Sequence, residues 1–343
     1  MNNELKGKKY LAVNQKKEGH VMKAADIKKI AVLGGSGLIG SSWVTFFLWK
    51  GLDVNVYDVN ANLLDTARER IDVNLSYLVE KSIVTKEAKE KALRKIFYTK
   101  DLPEAFRNAQ YIQECAPERY EPKQELVAAL DKYGSPETIF ASSTSGLIIT
   151  EIAKYSRFPQ RCVGAHPYNP PHLIPLVEIS KGDKTSADTV QITYDFFKAV
   201  GKEPVIMQKE APGFISNRLQ MAVYREAVDM VIRGVCSVED VDKALCYGPG
   251  LRYALMGQTL IFHLGGGKGG LKGFQANIGK TAEVWLADMA DWKKWPEGCA
   301  DVLQAGVDKE IANRSVEEGK TSEEIIRWRN DKLLALLKIL NKI

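Results

Sequence analysis

Apolar positions along the chain fall into two rhythms. Short β-branched runs at 28–33 (KKIAVL), 54–57, 111–113, 139–141, 162–165, 176–179 and 204–207 read as strands bounded by glycine, proline or polar residues. Between most of them, apolar residues recur every three or four positions. One helix is predicted over 38–49, and two long amphipathic helices over 61–97, separated near Ile83–Thr85. Strands alternating with helices predict a mostly parallel, doubly wound sheet. After Met207 the rhythm changes. Ala211-Pro212-Gly213 breaks the pattern, 214–233 reads as one long helix, and Ser237-Val-Glu-Asp240 resembles a capping box opening another. Glycine-rich segments at 248–250 and 265–273 read as loops, and 322–341 as a final helix with a Leu/Ile face. The division predicted is a polar arm at 1–26, a doubly wound α/β domain at 27–208 and an all-helical domain at 209–343.

The first strand ends in Gly35-Ser-Gly37-Leu38-Ile39-Gly40, a G-x-G-x-x-G pattern that opens a helix. Alone the pattern is weak, but strand, turn and helix are the context it needs. The first glycine permits the tight turn, the second lets backbone approach a pyrophosphate, and the third lets helix and strand pack closely. The helix N-terminus then offers free N–H groups and the positive end of its dipole to phosphate. Asp58 ends the second strand, 23 residues after Gly35. A carboxylate there accepts hydrogen bonds from ribose hydroxyls and repels a 2′-phosphate, so the Rossmann-type domain is expected to bind NAD in preference to NADP.

Composition narrows the remaining choices. The 343 residues exceed the size of most single cores, in keeping with two domains. A net charge of +5, from 48 basic and 43 acidic residues, is spread along the chain. It fits an anionic cofactor or substrate and makes no nucleic-acid footprint. Five cysteines without a C-x-x-C pair read as reduced thiols of a cytoplasmic protein. No apolar run approaches the ~18 residues of a membrane span, and the polar, Lys-rich N-terminus lacks the apolar core of a secretory signal. Neither His20 nor His172 has a ligand cluster around it, so no metal site is expected.

Four downstream segments carry polar residues where a sheet of this kind exposes its strand ends. They are Ser142-Ser-Thr-Ser145-Gly, Gly164-Ala-His166-Pro-Tyr-Asn-Pro, Leu176-Val-Glu178-Ile and Pro212-Gly-Phe-Ile-Ser-Asn217-Arg. His166 ends a short strand, beyond whose carboxyl end ligands of open α/β sheets bind, and a histidine there can act as a general base near neutral pH. Glu178 stands between apolar residues, and a buried carboxylate needs a partner. Paired with His166, it would fix the ring tautomer and stabilise the imidazolium.

These residues carry a resemblance. The stretch from about residue 27 to 320 resembles the 3-hydroxyacyl-CoA dehydrogenase superfamily through GGSGLIG, YDVN, ECAPERYEPK, FASSTSGL, GAHPYNPPHLIPLVEI and APGFISNRL. The resemblance implies an NAD-dependent oxidoreductase with its site in the cleft between two domains, and a homodimer formed through the helical C-terminal domain. It puts Ser145, His166, Glu178 and Asn217 on the family's catalytic set, and Glu118 and Lys123 on residues near the nicotinamide and its ribose. Ser143 stands, as a departure, where many acyl-CoA members carry Asn, and is carried over as a cofactor contact.

Tyr247-Gly-Pro-Gly-Leu-Arg252-Tyr253-Ala-Leu-Met-Gly257 replaces the Pro-Met-Gly-Pro-Phe type of segment usual in acyl-CoA members. It looks like the branch that acts on free 3-hydroxy acids, which holds L-carnitine dehydrogenase and, more distantly, lambda-crystallin with L-gulonate dehydrogenase activity. A free carboxylate in a closed pocket calls for an arginine fork, for which Arg252 is the candidate. A trimethylammonium group calls for aromatic faces, with Tyr253, Phe262, Trp285, Trp292 and Trp295 as candidates. An acyl-CoA substrate would instead need a basic path, which the Lys-rich helices at 81–95 could supply. A protein of another class, one that retains the fold without turnover, is disfavoured by the intact Ser145, His166, Glu178 and Asn217.

Overall fold

The computed structural model describes residues 22–343. Most of the expected polar arm, residues 1–21, lies outside the described residues. Its end does not hang free: Ala24–Asp26 forms a 3-10 turn, and Met22 and Ala24 pack against the core.

An eight-stranded sheet runs in the order β3-β2-β1-β4-β5-β6-β7-β8. The strands are β1 (Lys29–Leu33), β2 (Asp53–Tyr57), β3 (Ile96–Thr99), β4 (Tyr111–Glu114), β5 (Ile139–Ser142), β6 (Cys162–Pro167), β7 (Leu176–Lys181) and β8 (Glu203–Ile206). All neighbours pair in parallel except β6 and β7. The doubly wound sheet is as expected, with two corrections. The helical reading of 61–97 runs too far: α2 (Ala61–Glu80) and α3 (Lys86–Leu93) end before β3, a short edge strand. The β6–β7 pair is antiparallel because only eight residues join the strands, too few for the dozen or more that a parallel crossover needs.

Helices cover both faces. On one, α1 (Leu38–Trp49) stacks Trp43 on Phe47 with centroids 5.1 Å apart, and these meet Phe196 and Phe197 of α7 (Ala187–Ala199). On the other, α5 (Tyr120–Tyr133), with two short helices, α4 (Leu102–Phe106) and α6 (Ile149–Ile152), closes over Ile112 and Phe140 with Leu130 among its buried residues. Both layers are dry: Trp43, Phe47, Phe197, Ile112 and Leu130 are fully buried.

The C-terminal part is helical: α8 (Ser216–Ile232), α9 (Val238–Tyr247), α10 (Pro249–Tyr253), α11 (Gln258–Gly265), α12 (Gly270–Asp288), α13 (Cys299–Asn313) and α14 (Ser322–Ile339). Ser237 caps α9 by accepting from the Asp240 amide at 3.1 Å, as its sequence predicts. The glycine segments read as loops are corrected here. Residues 249–253 form α10, 267–269 a 3-10 turn, and Gly270 opens α12. Packing outweighs propensity: a Cβ on Gly266 would lie 1.8 Å from the Gly270 carbonyl oxygen, so these glycines let two turns touch backbone to backbone. α14 returns to the sheet layer, where Leu334 and Leu337 pack with Leu78, Val84 and Leu173. Asp331 accepts from Tyr77 at 2.7 Å and Lys81 at 2.9 Å there.

Candidate active site

The G-x-G-x-x-G turn has the shape its sequence implies. Gly34 holds φ +84°, and a Cβ on it would meet the Cys115 carbonyl oxygen at 2.6 Å. A Cβ on Gly40 would lie 2.1 Å from the Gly34 carbonyl oxygen, so only glycine lets α1 sit this close to β1. Gly37 differs, since a Cβ there meets nothing nearer than 3.6 Å, and the adjacent Leu38 is exposed. The turn therefore presents open backbone where a pyrophosphate would lie, and its residues fit a dinucleotide. Asp58 is buried at the end of β2, accepting the Ser36 amide at 3.0 Å and the Val59 amide at 3.0 Å. The strand-end carboxylate is thus held by the glycine turn itself.

The antiparallel β6–β7 pairing sets His166 directly opposite Glu178. Nδ1 of His166 lies 2.8 Å from Oε2 of Glu178, and the pair is buried. The second oxygen of Glu178 accepts the amides of Ile215 and Ser216, both at 2.8 Å, and the Ser216 hydroxyl donates to Oε2 at 2.5 Å. Burial pushes the Glu178 carboxyl up, but the bonds from His166 and from the Ser216 hydroxyl and amide outweigh it and hold the group below its ordinary range. Glu178 is thus an anion that accepts from Nδ1–H. Nε2 of His166 is left with no partner among the described residues. Phe214 packs edge-on against the imidazole, centroids 5.5 Å apart, and holds φ +51°, an uncommon backbone state for a bulky residue.

Two loops meet beside this pair. A Cβ on Gly146 would lie 2.9 Å from the Gly213 amide, so the Ser145 loop and the turn before α8 touch through backbone. Asn217, in the first turn of α8, donates its side-chain amide to the Ser145 carbonyl at 3.0 Å. The Ser145 hydroxyl is exposed and makes no hydrogen bond among the described residues. Glu118 braces the same loop, accepting from the Thr144 hydroxyl at 2.6 Å and the Ser145 amide at 2.8 Å.

Beneath the loop lies a feature that sequence reading missed. Glu114, fully buried at the end of β4, accepts Lys123 Nζ at 2.8 and 3.1 Å, the Ser142 hydroxyl at 2.5 Å and the Ala116 amide at 2.5 Å. Lys123, also buried, reaches Glu118 at 3.5 Å. The signal was present: a carboxylate closing the apolar run YIQE, with a lysine nine residues on. Ser143 accepts from Gln113 at 2.7 Å and lies 3.2 Å from the Cys115 sulfur. Burial pushes the Cys115 thiol up to about 12, so it is no nucleophile at neutral pH. His172 is buried against α1, its Nδ1 2.6 Å from the Ser42 hydroxyl.

Arg252 and Tyr253 are not brought to this cluster. Both are exposed on α10, which packs on α9. Phe262 stacks on Phe274 at 4.3 Å, Trp285 is exposed, and the rings of Trp292 and Trp295 lie 5.5 Å apart, tilted by 47°. Among the described residues, no group of three or more His, Cys, Asp or Glu is placed to hold a metal, and no helix is long and apolar enough to cross a membrane.

A glycine cradle, a buried strand-end carboxylate and a histidine–carboxylate pair mark an NAD-dependent oxidoreductase acting on a CH–OH group. The chain belongs to the 3-hydroxyacyl-CoA dehydrogenase family: residues 29–211 match that family's NAD binding domain, and residues 213–300 its C-terminal domain. The L-carnitine dehydrogenase of Pseudomonas putida is 36% identical, over 91% of this chain and 94% of that enzyme. A 3-hydroxyacyl-CoA dehydrogenase of Gibberella moniliformis is 37% identical, over 83% of this chain and 88% of that enzyme. Among solved structures, the NAD+-dependent dismutase 5-formyl-3-hydroxy-2-methylpyridine 4-carboxylic acid 5-dehydrogenase superposes with a TM-score of 0.74 at 28% identity, covering 91% of this chain and 97% of that one.

Proposed function

We propose that this enzyme oxidises the 3-hydroxyl of a small free hydroxy acid, L-carnitine to 3-dehydrocarnitine, with His166 as the general base. The observation that carries the chemistry is the buried His166–Glu178 pair at 2.8 Å, with the other ring nitrogen free. The nicotinamide, when bound, supplies the hydride acceptor. Nε2 of His166 takes the hydroxyl proton, and Glu178 stabilises the imidazolium that results. Ser145 and Asn217 hydrogen-bond the reacting oxygen or the neighbouring carbonyl, while Glu118, Lys123 and Ser143 line the nicotinamide end. L-Carnitine is favoured as substrate by the recurrence of L-carnitine dehydrogenases, at about a third identity over most of the chain, among the relatives.

The working unit in this reading is a cytoplasmic homodimer. Residues 27–208 bind NAD, and 209–343 supply substrate and dimer contacts. Val284, Trp285 and Leu286 on α12 and Leu260 and Leu264 on α11 are all at least half exposed, an apolar surface that a second copy would cover. Arg252 neutralises the substrate carboxylate across the twofold, with Tyr253 beside it.

The second reading, oxidation of a 3-hydroxyacyl-CoA, is favoured by the Gibberella relative. Turnover of L-carnitine, L-gulonate and 3-hydroxybutyryl-CoA with NAD, by the natural chain and by Arg252→Met, separates the two. Loss of a charge-assisted partner in a desolvated site costs about 2–5 kcal/mol, so the variant should lose roughly 30- to 4,000-fold in kcat/KM on L-carnitine while keeping NAD affinity. Good turnover of the thioester, with no loss on any free acid in the variant, would replace the first reading by the second.

A further inference from the structure

α8 carries Asn217 in its first turn, and a different face of the same helix borders a cavity. Arg218, Met221, Ala222 and Arg225 recur there at the spacing of one helix face. The opposite wall is the segment after α12, with Trp292, Lys293, Lys294 and Trp295, and the groove between them, about 450 Å³, is open to solvent. That is within the range of small-molecule sites, roughly 300–1,000 Å³.

The wall is anchored by acids that do not line the cavity. Glu226 accepts the Ala290 amide at 3.0 Å, and Asp229 accepts the Trp292 indole N–H at 3.3 Å. Arg233 binds Asp229 and Asp288, each at 3.2 Å. The lining itself has four cations and no carboxylate. Among the described residues Arg225, Lys293 and Lys294 make no ion pair, and Arg218 donates only to the Pro212 carbonyl, at 3.4 Å. The two indoles lie 5.5 Å apart at 47°, and Tyr224 meets Trp295 edge-on at 5.7 Å.

Four unpaired cations around indole faces repel a trimethylammonium group and select an anion with a flat ring. Arginine forks suit phosphate oxygens, and an indole offers a stacking face to a heterocycle. A twofold interface centred here would oppose like charges, which speaks against a second copy as the occupant. None of the lining residues belongs to the glycine cradle. We propose that this cavity is a second nucleotide site, taking phosphate groups on Arg218, Arg225, Lys293 and Lys294 and the heterocycle against the tryptophans. Its ligand is a free nucleoside polyphosphate, and CoA, which carries an ADP moiety, is a probe of the same chemistry.

The test uses the full chain saturated with NAD. Equilibrium dialysis with ADP, CoA or adenosine counts ligand and NAD bound per chain, and tryptophan fluorescence follows occupancy. ADP and CoA should each add one equivalent without displacing NAD and quench the emission, while adenosine binds at least about tenfold more weakly for want of phosphates. Arg225→Ala/Lys294→Ala should weaken ADP and CoA by about tenfold or more and leave NAD affinity unchanged. Trp295→Leu should reduce the quench. ADP bound without competition against the hydroxy-acid substrate supports a site apart from the catalytic cleft; competition by ADP against that substrate overturns it. ADP uptake that only replaces lost NAD, or affinity unaltered in the double variant, overturns the proposal.

Discussion

α1 and α12 are both rich in apolar residues, yet their surroundings differ. α1 buries nine residues, Gly40 through Leu48, between sheet and neighbouring helices. α12, longer at 19 residues, buries only Gly270. The sheet-forming half thus completes its core from one chain. The helical half leaves Trp285, Leu286 and Val284 outward, so much of its apolar surface awaits a partner or ligand. Chemistry follows the same division. The histidine–carboxylate pair sits in the closed half, where dry surroundings fix it. The side chains proposed to select a substrate sit in the open half, where exposure leaves them adaptable.

The sharpest way to break this comparison is to remove the base. His166→Gln should lower kcat by about 10²–10⁴-fold with NAD affinity nearly unchanged, as steady-state kinetics and cofactor titration would read. Near-normal turnover would move the chemistry elsewhere. Glu178→Gln should also lower kcat. The bonds that hold the Glu178 carboxyl below its ordinary range keep it an anion at neutral pH, so the amide variant loses the charge that stabilises a protonated ring, read as a fall in kcat at fixed pH.

Large-to-small substitutions test the packing contrast directly. Trp43→Ala, at a fully buried site, should cost about 3–5 kcal/mol by denaturant melts. Trp285→Ala, at a site 58% exposed, should change monomer stability by no more than about 0.5 kcal/mol and, in the homodimer we propose, act instead on the concentration at which it dissociates, read by sedimentation. Equal costs at both sites would erase the distinction.

His172 gives a smaller, pH-dependent effect. Burial first, then Lys202 and Arg329, lowers its pKa from 6.5 to about 3. The unfolded chain therefore takes up a proton that the folded chain refuses. The resulting stability is complete above pH 6.5 and is lost as pH falls toward 3, at up to about 1.4 kcal/mol per pH unit. Thermal melts of His172→Gln between pH 7 and 4.5 should show a shallower acid loss than the natural chain; parallel curves would contradict this.

The smallest effect concerns the cofactor. The natural chain should prefer NAD over NADP by at least about tenfold, ~1.4 kcal/mol. Asp58→Ala should narrow that gap, since it removes the carboxylate and leaves Arg70, which donates to the Ser36 carbonyl at 2.5 Å, at the same turn. Unequal use that survives the substitution would give the selectivity to another group.

The features legible along the chain are local ones. GGSGLIG, Asp58 and the alternation of strand and helix are legible because glycine stereochemistry, a strand-end carboxylate and hydrophobic period act within a few residues. His166 was legible as a histidine at a strand end, and Glu178 as a carboxylate in need of a partner. Edge strand β3 was hidden because four residues after two charged helices carry little period of their own. The 249–253 and 267–273 turns were hidden because glycine reads as a breaker, whereas here it allows helical turns to touch. Tertiary structure decided the rest. Antiparallel β6–β7 pairing puts His166 opposite Glu178, and the meeting of Gly146 with Gly213 brings Asn217 to Ser145. It also buries Glu114 with Lys123, where no water competes for either charge. Pairing register and desolvation arise from contacts between segments far apart in the chain, and no local pattern contains them.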